Sequence, residues 1–187
     1  MKAYIHDNLD TDSRDAHNSG VAVSQEELGQ SGVLYYNYET LDQVNDLAEK
    51  RNYKNRDVLT LTVEGLGGKE QYASKLKTFY GEHLHEDEEI RYILDGEGFF
   101  DIRDKADRWV RILVEKNDLL IVPAGIYHRF TPSRLNYVKA MRLFKDEPKW
   151  EAKPRPTADD LPIRSQYLQS VVWNKKFWNF IFIETVT

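Results

Sequence analysis

Residues 82–92 read EHLHEDEEIRY, and within them His83, His85 and Glu89 follow the spacing H-x-H-x-x-x-E. His128 follows in the stretch PAGIYHRF. Imidazole nitrogens and a carboxylate oxygen are the donors that first-row divalent cations accept. The chain contains no cysteine, so thiolate zinc sites, iron–sulfur clusters, disulfides and cysteine nucleophiles are excluded together. Any resident ion must be held by His, Asp and Glu.

Geometry sets conditions on such a site. Residues two apart on a strand share a face, so His83 and His85 can aim at one point. Glu89 has the same parity, yet a straight strand would carry it ~13 Å past His85. Donors must come within about 2 Å of the ion, so the chain has to turn within Glu86-Asp87-Glu88 and return Glu89 from the next strand. Pro123 and Gly125 make a tight turn, after which Ile126, His128 and Phe130 share a face that points into a barrel interior. A buried imidazole there needs a polar partner, and an ion would supply it. H-x-H alone is a weak signal; joined to E-x6-G and then to P-x-G-x-x-H it is specific.

The elements that must position these residues change character near residue 80. Before it the patterns are mostly helical. Ser24 and Glu27 have capping-box spacing ahead of a short helix stopping near Gly32, and Thr40 and Gln43 repeat the signature before Leu41, Val44, Leu47 and Ala48 fall on one face. A third helix is expected over 69–80, on Tyr72, Leu76 and Phe79. Beyond residue 80 the period becomes two. Strands are expected at Arg91–Leu94 and Phe99–Ile102, joined as a hairpin through Asp95-Gly96-Glu97-Gly98, and then at Trp109–Val114, Leu119–Val122, Ile126–Thr131 and Tyr137–Phe144. The fold expected is mostly β with helices, an α+β chain in which a helical part (about 1–80) packs on an antiparallel, jelly-roll-like β-barrel (about 81–150). No linker divides it, so residues 1–170 read as a single domain.

The paired segments resemble the two motifs of the cupin superfamily, whose small barrels commonly hold a metal through three histidines and one glutamate. Within it, the chain is similar to the acireductone dioxygenase family of eukaryotic type. The stretches that carry the resemblance are HNSG at 17–20, YKNRD at 53–57, FYGEHLHEDEEIRYILDGEGFFDIRD at 79–104, PAGIYHRFT at 123–131 and KAMRLFKDEPKW at 139–150. Two positions depart from the general cupin pattern: Asn117 stands where the second motif usually opens with glycine, and Pro132 where an asparagine often follows the last histidine. Neither is a proposed ligand.

Four protein donors leave two positions open on a six-coordinate ion, the mark of a catalytic site. The donor set suits Fe(II), Ni(II), Co(II) or Mn(II), and with one carboxylate it keeps a net charge of about +1 that favours an anionic chelating substrate. The resemblance narrows this to Fe(II) or Ni(II), one per chain, and implies acireductone and O2 as substrates in methionine salvage. The expected products are formate and 4-methylthio-2-oxobutanoate with Fe(II), with a CO-releasing cleavage for Ni(II). Arg91 lies two residues beyond Glu89 on the same face and can stabilise an enediolate. The resemblance places Phe79, Phe130 and Trp150 around the substrate. Two alternatives stay open: another cupin metalloenzyme acting on a different enediol or a dicarboxylate, and a non-catalytic metal-binding interaction protein.

A formal charge of −5 gives no global pull toward nucleic acid or anionic membrane. There is no apolar run of membrane-spanning length, no N-x-S/T sequon, and the amino terminus lacks a signal peptide's apolar core. A monomer in the cytoplasm is expected, with the nucleus as a second compartment. The basic residues Lys50, Arg51, Lys54 and Arg56 read as the charged end of the second helix. Gly96-Glu97-Gly98 and Gly65-Leu66-Gly67-Gly68-Lys69 lack the spacing of nucleotide-binding loops. Glu88 is expected at the surface, and His6 and His17 show no partner pattern. Residues 171–187, rich in aromatics and isoleucine, form a tail of unassigned role outside the family pattern.

Overall fold

The computed structural model describes residues 1–146 and 151–181, the side chains of 172–181 excepted. Its elements in chain order are β1 (Lys2–His6), β2 (Asn18–Ala22), α1 (Gln25–Gln30), β3 (Leu34–Asn37), α2 (Leu41–Lys50), β4 (Asn55–Leu61), α3 (Lys69–Tyr80), β5 (His83–Leu84), β6 (Glu89–Arg103), β7 (Trp109–Glu115), β8 (Asp118–Val122), β9 (His128–Pro132), β10 (Val138–Phe144), β11 (Lys153–Pro154) and α4 (Pro162–Ile181). The strands form two antiparallel layers that share β6. One runs β11-β5-β9-β6-β7-β1-β2, and the other runs β3-β8-β6-β10-β4. This is the cupin barrel, with β6 crossing from one layer to the other.

The crossing corrects the expected hairpin at residues 95–98. Glu89–Arg103 is one 15-residue strand. Against β10 its register runs Ala140↔Ile93 and then Lys139↔Asp95, leaving Leu94 as an extra, bulged residue. Because side chains alternate, one extra residue exchanges the faces. Glu89, Arg91 and Ile93 point inward before the bulge; Phe100 and Ile102 point inward after it. Gly96 takes the bend at φ +75°, and a Cβ there would lie 2.4 Å from the Tyr137 carbonyl oxygen. Asp-Gly marks a bend in both readings, but here the chain bends within a strand and does not reverse.

All three expected helices form. In α1 the Ser24 hydroxyl accepts from the Glu27 N–H at 3.1 Å and the Glu27 carboxylate accepts from the Ser24 N–H at 2.8 Å. In α2, Gln43 accepts from the Thr40 N–H at 3.2 Å. Val44, Leu47 and Ala48 of α2 are buried against Tyr53, Ile90, Tyr92, Met141 and Leu143, covering the outer face of the β8-β6-β10 layer. Burying each larger apolar side chain contributes about 1.5–3 kcal/mol. Residues 1–80 also supply β1–β4, which periodicity did not reveal. β2 is exposed throughout and β4 largely so, and edge strands of that kind carry no apolar alternation.

At the end of the barrel α4 closes over the β8–β9 turn. Tyr167 and Val171 join the core, and the Tyr167 hydroxyl donates to the Ser31 carbonyl at 3.1 Å. The helix runs on through residue 181, across the start of the segment set apart as a tail.

Candidate metal centre

His83 and His128 are in direct register on β5 and β9. Past His85 the chain turns through 86–88 and β6 begins at Glu89, as the distance argument requires. Donor atoms of His83, His85, Glu89 and His128 all lie within 4.8 Å of one another. Donors about 2 Å from one ion stand roughly 3–4 Å apart, so the cluster has the size of a coordination shell.

The hydrogen bonds fix which nitrogens face inward. Nδ1 of His83 donates to the Gly81 carbonyl at 2.7 Å, and Nδ1 of His128 to that of Ile126 at 3.1 Å. Nδ1 of His85 donates to the carbonyl of Glu151 at 3.1 Å. Carbonyls only accept, so each Nδ1 carries a proton and each Nε2 turns to the cluster, where it offers a lone pair whenever the ring is neutral. The Glu89 carboxylate stands 3.1 Å from Nε2 of His128 and 3.3 Å from Nε2 of His85. Lone pairs facing a carboxylate repel unless a cation lies between them. A proton satisfies one pair; a divalent ion satisfies all four donors at once, and the residues present fit such an ion.

At His83 and Glu89 the electrostatics agree; at His85 burial works to lower the pKa, but the Glu89 carboxylate outweighs it and raises it. Burial, then the neighbouring His128, lowers His83 to about 4, so its imidazole is neutral at physiological pH, the form able to donate to a metal. Burial works to raise Glu89, but Arg91 and the contacts from His128 and His85 outweigh it and hold the carboxyl well below the usual range.

Arg91 faces the cluster, its Nη2 3.2 Å from Glu89 Oε1. It borders a cavity of about 380 Å³ that also holds the four donors. Phe79 and Phe130 line the same cavity, edge to face with centroids 6.4 Å apart. Gly98 makes room for Phe130, since a Cβ there would lie 2.8 Å from the ring. Trp150 lies outside the described residues. The wall is graded by strand register: the row Asp57–Arg142–Arg91 near the donors gives way to Leu59–Ala140–Ile93 and then Leu61–Val138–Gly96. Arg142 and Asp57 were missed by sequence reasoning. Val138, Ala140 and Arg142 share a parity that would have placed the arginine inside, whereas Asp57 sits on the unrecognised β4.

Glu88 turns away from the donors, as parity requires, but is not a free surface group. Arg51 Nη2 and the Tyr53 hydroxyl donate to it at 2.8 and 2.9 Å, and Lys145 stands at 3.4 Å. Arg51 of the basic cluster thus ties the end of α2 to the turn between β5 and β6. His6, Asp7 and His17 form a second compact trio. Its two rings stack at 4.5 Å with planes 10° apart, so their in-plane lone pairs run side by side and do not converge. Nδ1 of His6 accepts from the Asn8 N–H and Nδ1 of His17 bonds Asp7. The trio is a buried hydrogen-bond knot tying β1 to the loop that follows.

A cupin barrel with a histidine–glutamate cluster at its mouth defines a class of metal-binding proteins. The ARD/ARD' family model matches residues 2–152. The acireductone dioxygenase of Yarrowia lipolytica is 56% identical over 172 residues, spanning 91% of this chain and 99% of that protein. That of Saccharomyces cerevisiae is 52% identical, spanning 90% and 96%. The solved acireductone dioxygenase from Bacillus anthracis, with cadmium ion in its active center, shares the fold at a TM-score of 0.64 and 24% identity, covering 81% of this chain and 96% of that one. The chain belongs to the ARD/ARD' family and is a dioxygenase-type oxidoreductase. Among the described residues no helix is long and apolar enough to cross a membrane.

Proposed function

We propose that the chain cleaves acireductone, 1,2-dihydroxy-5-(methylthio)pent-1-en-3-one, with O2 to formate and 4-methylthio-2-oxobutanoate, serving methionine salvage. The observation that carries this reading is the convergence of His83, His85, Glu89 and His128 at one end of a cavity whose wall is largely apolar. These four would hold Fe(II) or Ni(II), one per chain. When bound, the ion would supply a Lewis acid and template for a chelating enediolate, and the resemblance implies an off-pathway, CO-releasing cleavage for the Ni(II) form.

The chain's own residues do the rest. Arg91 meets the anionic oxygens of the enediolate with a guanidinium already aimed at the donor cluster. Leu59, Ala140 and Ile93 pack the methylthio arm, and Phe79 and Phe130 exclude water from the electron-rich carbons. Trp150 completes the aromatic group by resemblance. On this reading residues 1–170 act as one monomeric domain in the cytoplasm, with the nucleus as a second compartment, and need no nucleic acid or membrane.

The test is anaerobic reconstitution with Fe(II) or Ni(II), then O2 and synthetic acireductone, with products identified. Formate and the 2-oxo acid from the Fe(II) form support the reading. One equivalent of bound metal with no consumption above the buffer control overturns it in favour of another enediol, a dicarboxylate or a non-catalytic role.

A further inference from the structure

Three charged side chains form one row across the inner face of β4, β10 and β6. Asp57 is in register with Arg142, and Arg142 with Arg91. Like charges directly opposite on adjacent strands cost stability unless something offsets them. Asp57 grips Arg142 in a two-point pair, with Nε 2.6 Å from Oδ1 and Nη2 on Oδ2. Arg91 turns the other way, to Glu89, while its Nη1 donates to the Ile90 carbonyl at 3.0 Å. Both guanidiniums border the cavity that contains the donor cluster.

The aspartate acts on both arginines. Arg142 and then Arg91 lie among the charges that lower Asp57, while Asp57 and Arg142 act on Arg91 with opposite signs. An arginine side chain extends roughly 6–7 Å beyond its Cα, and Asp57 stands two strand spacings from Arg91, about 9.5 Å. Arg91 can therefore close on Asp57 if Arg142 does not hold it.

We propose that Arg142 is a positioning residue: by occupying Asp57 and placing a like charge on that flank, it keeps the Arg91 guanidinium turned toward Glu89 and the three histidines. Arg142 sets the direction and Arg91 makes the contact. The inference rests on the reading of Arg91 as the group that meets the substrate anion.

The test uses metal-loaded protein without O2 and oxalate, a planar dianion with adjacent oxygens, as a calorimetric probe, alongside steady-state turnover of acireductone. Arg142→Met frees Asp57 to draw Arg91 away, so oxalate binding and kcat/KM fall about 10- to 100-fold, the scale of a lost charged hydrogen bond. Adding Asp57→Asn removes the competing carboxylate and restores both to within about threefold of the parent, a recovery that a merely structural pair would not show. Arg142→Lys keeps the ion pair and stays near the parent. Metal content stays at one equivalent throughout, since neither residue is in the donor set. A double variant as weak as Arg142→Met, an Arg142→Met variant with parental binding, or loss of the metal from either overturns the proposal. Arg91→Gln separates the two layers: unchanged oxalate binding in that variant overturns the reading of Arg91 itself.

Discussion

His83 and His128 stand opposite each other on neighbouring antiparallel strands, 4.6 Å between ring centroids, and each commits Nδ1 to a carbonyl two residues upstream. The ring orientation is thus built into the local backbone before any ion arrives. His85 differs, because its carbonyl comes from Glu151, which the short β5–β11 pairing brings alongside. Outer partners of metal-bound histidines are commonly worth 10- to 100-fold in affinity. Loss of a donor should cost more, so His128→Ala is expected to weaken Fe(II) or Ni(II) binding by over ~100-fold. Equilibrium dialysis with metal analysis measures this, and parental affinity in the variant would reject the donor set.

Gly125 connects the second motif to the closing helix. Its φ is +80°, its N–H donates to the His85 carbonyl at 2.9 Å, and a Cβ would sit 2.5 Å from the Ile163 carbonyl oxygen. Left-handed backbone costs a non-glycine residue roughly 1–2 kcal/mol, and the clash with α4 adds to it. Gly125→Ala is therefore expected to destabilise the fold by at least about 2 kcal/mol. Urea unfolding checks this, and a loss under about half that would mean that α4 yields easily.

Arg111 and Asp101 form a fully buried pair between β7 and β6, with Nε 2.7 Å from Oδ1 and Nη2 2.8 Å from Oδ2. Arg111 also donates to the carbonyls of Ser13 and Asp15, pinning the loop after β1 to the barrel. Arg111→Met would leave a buried carboxylate and two carbonyls without that donor. Removing one partner of such a pair costs about 3–5 kcal/mol. Denaturant titration of the variant should show that loss; a change under ~1 kcal/mol would mean that Arg129, which also binds Asp101, suffices alone.

The convergence of His83, His85, Glu89 and His128 was legible because ligand chemistry constrains residue type and spacing together: only a turn at 86–88 could bring Glu89 back to His85. The three helices were legible from local capping and a one-sided apolar stripe. The bulge at Leu94 was not, because Asp-Gly permits either a reversal or a bend and only pairing with β10 decides between them. Asp101 and Arg111 escaped notice for a similar reason. They lie in strands buried on both faces, where alternation vanishes and a charged pair is stable only through contacts distant in sequence.

His6 gives the fold a pH dependence separate from the metal centre. Burial, partly countered by Asp101, lowers its pKa from 6.5 to about 4, with Arg111, Arg129 and His17 adding to the drop. Its Nδ1 accepts from the Asn8 N–H, which protonation there would break, while Nε2 stands 3.9 Å from Asp101 Oδ2, 3.4 Å from Arg129 Nη2 and 3.5 Å from the Tyr80 hydroxyl. Asp7 lies beside the ring, with Oδ1 3.9 Å from Nδ1. Between pH 6.5 and about 4 the unfolded chain binds a proton here that the folded chain refuses. This contribution is therefore complete above pH 6.5, falls with pH through that window, and reaches a loss on the order of 2 kcal/mol by pH 5. His6→Asn retains an acceptor for Asn8 and cannot titrate, so its stability should fall less than the parent's between pH 7.5 and 5. Paired urea titrations at the two pH values read that difference, and equal losses in parent and variant would show that His6 is not the group responsible.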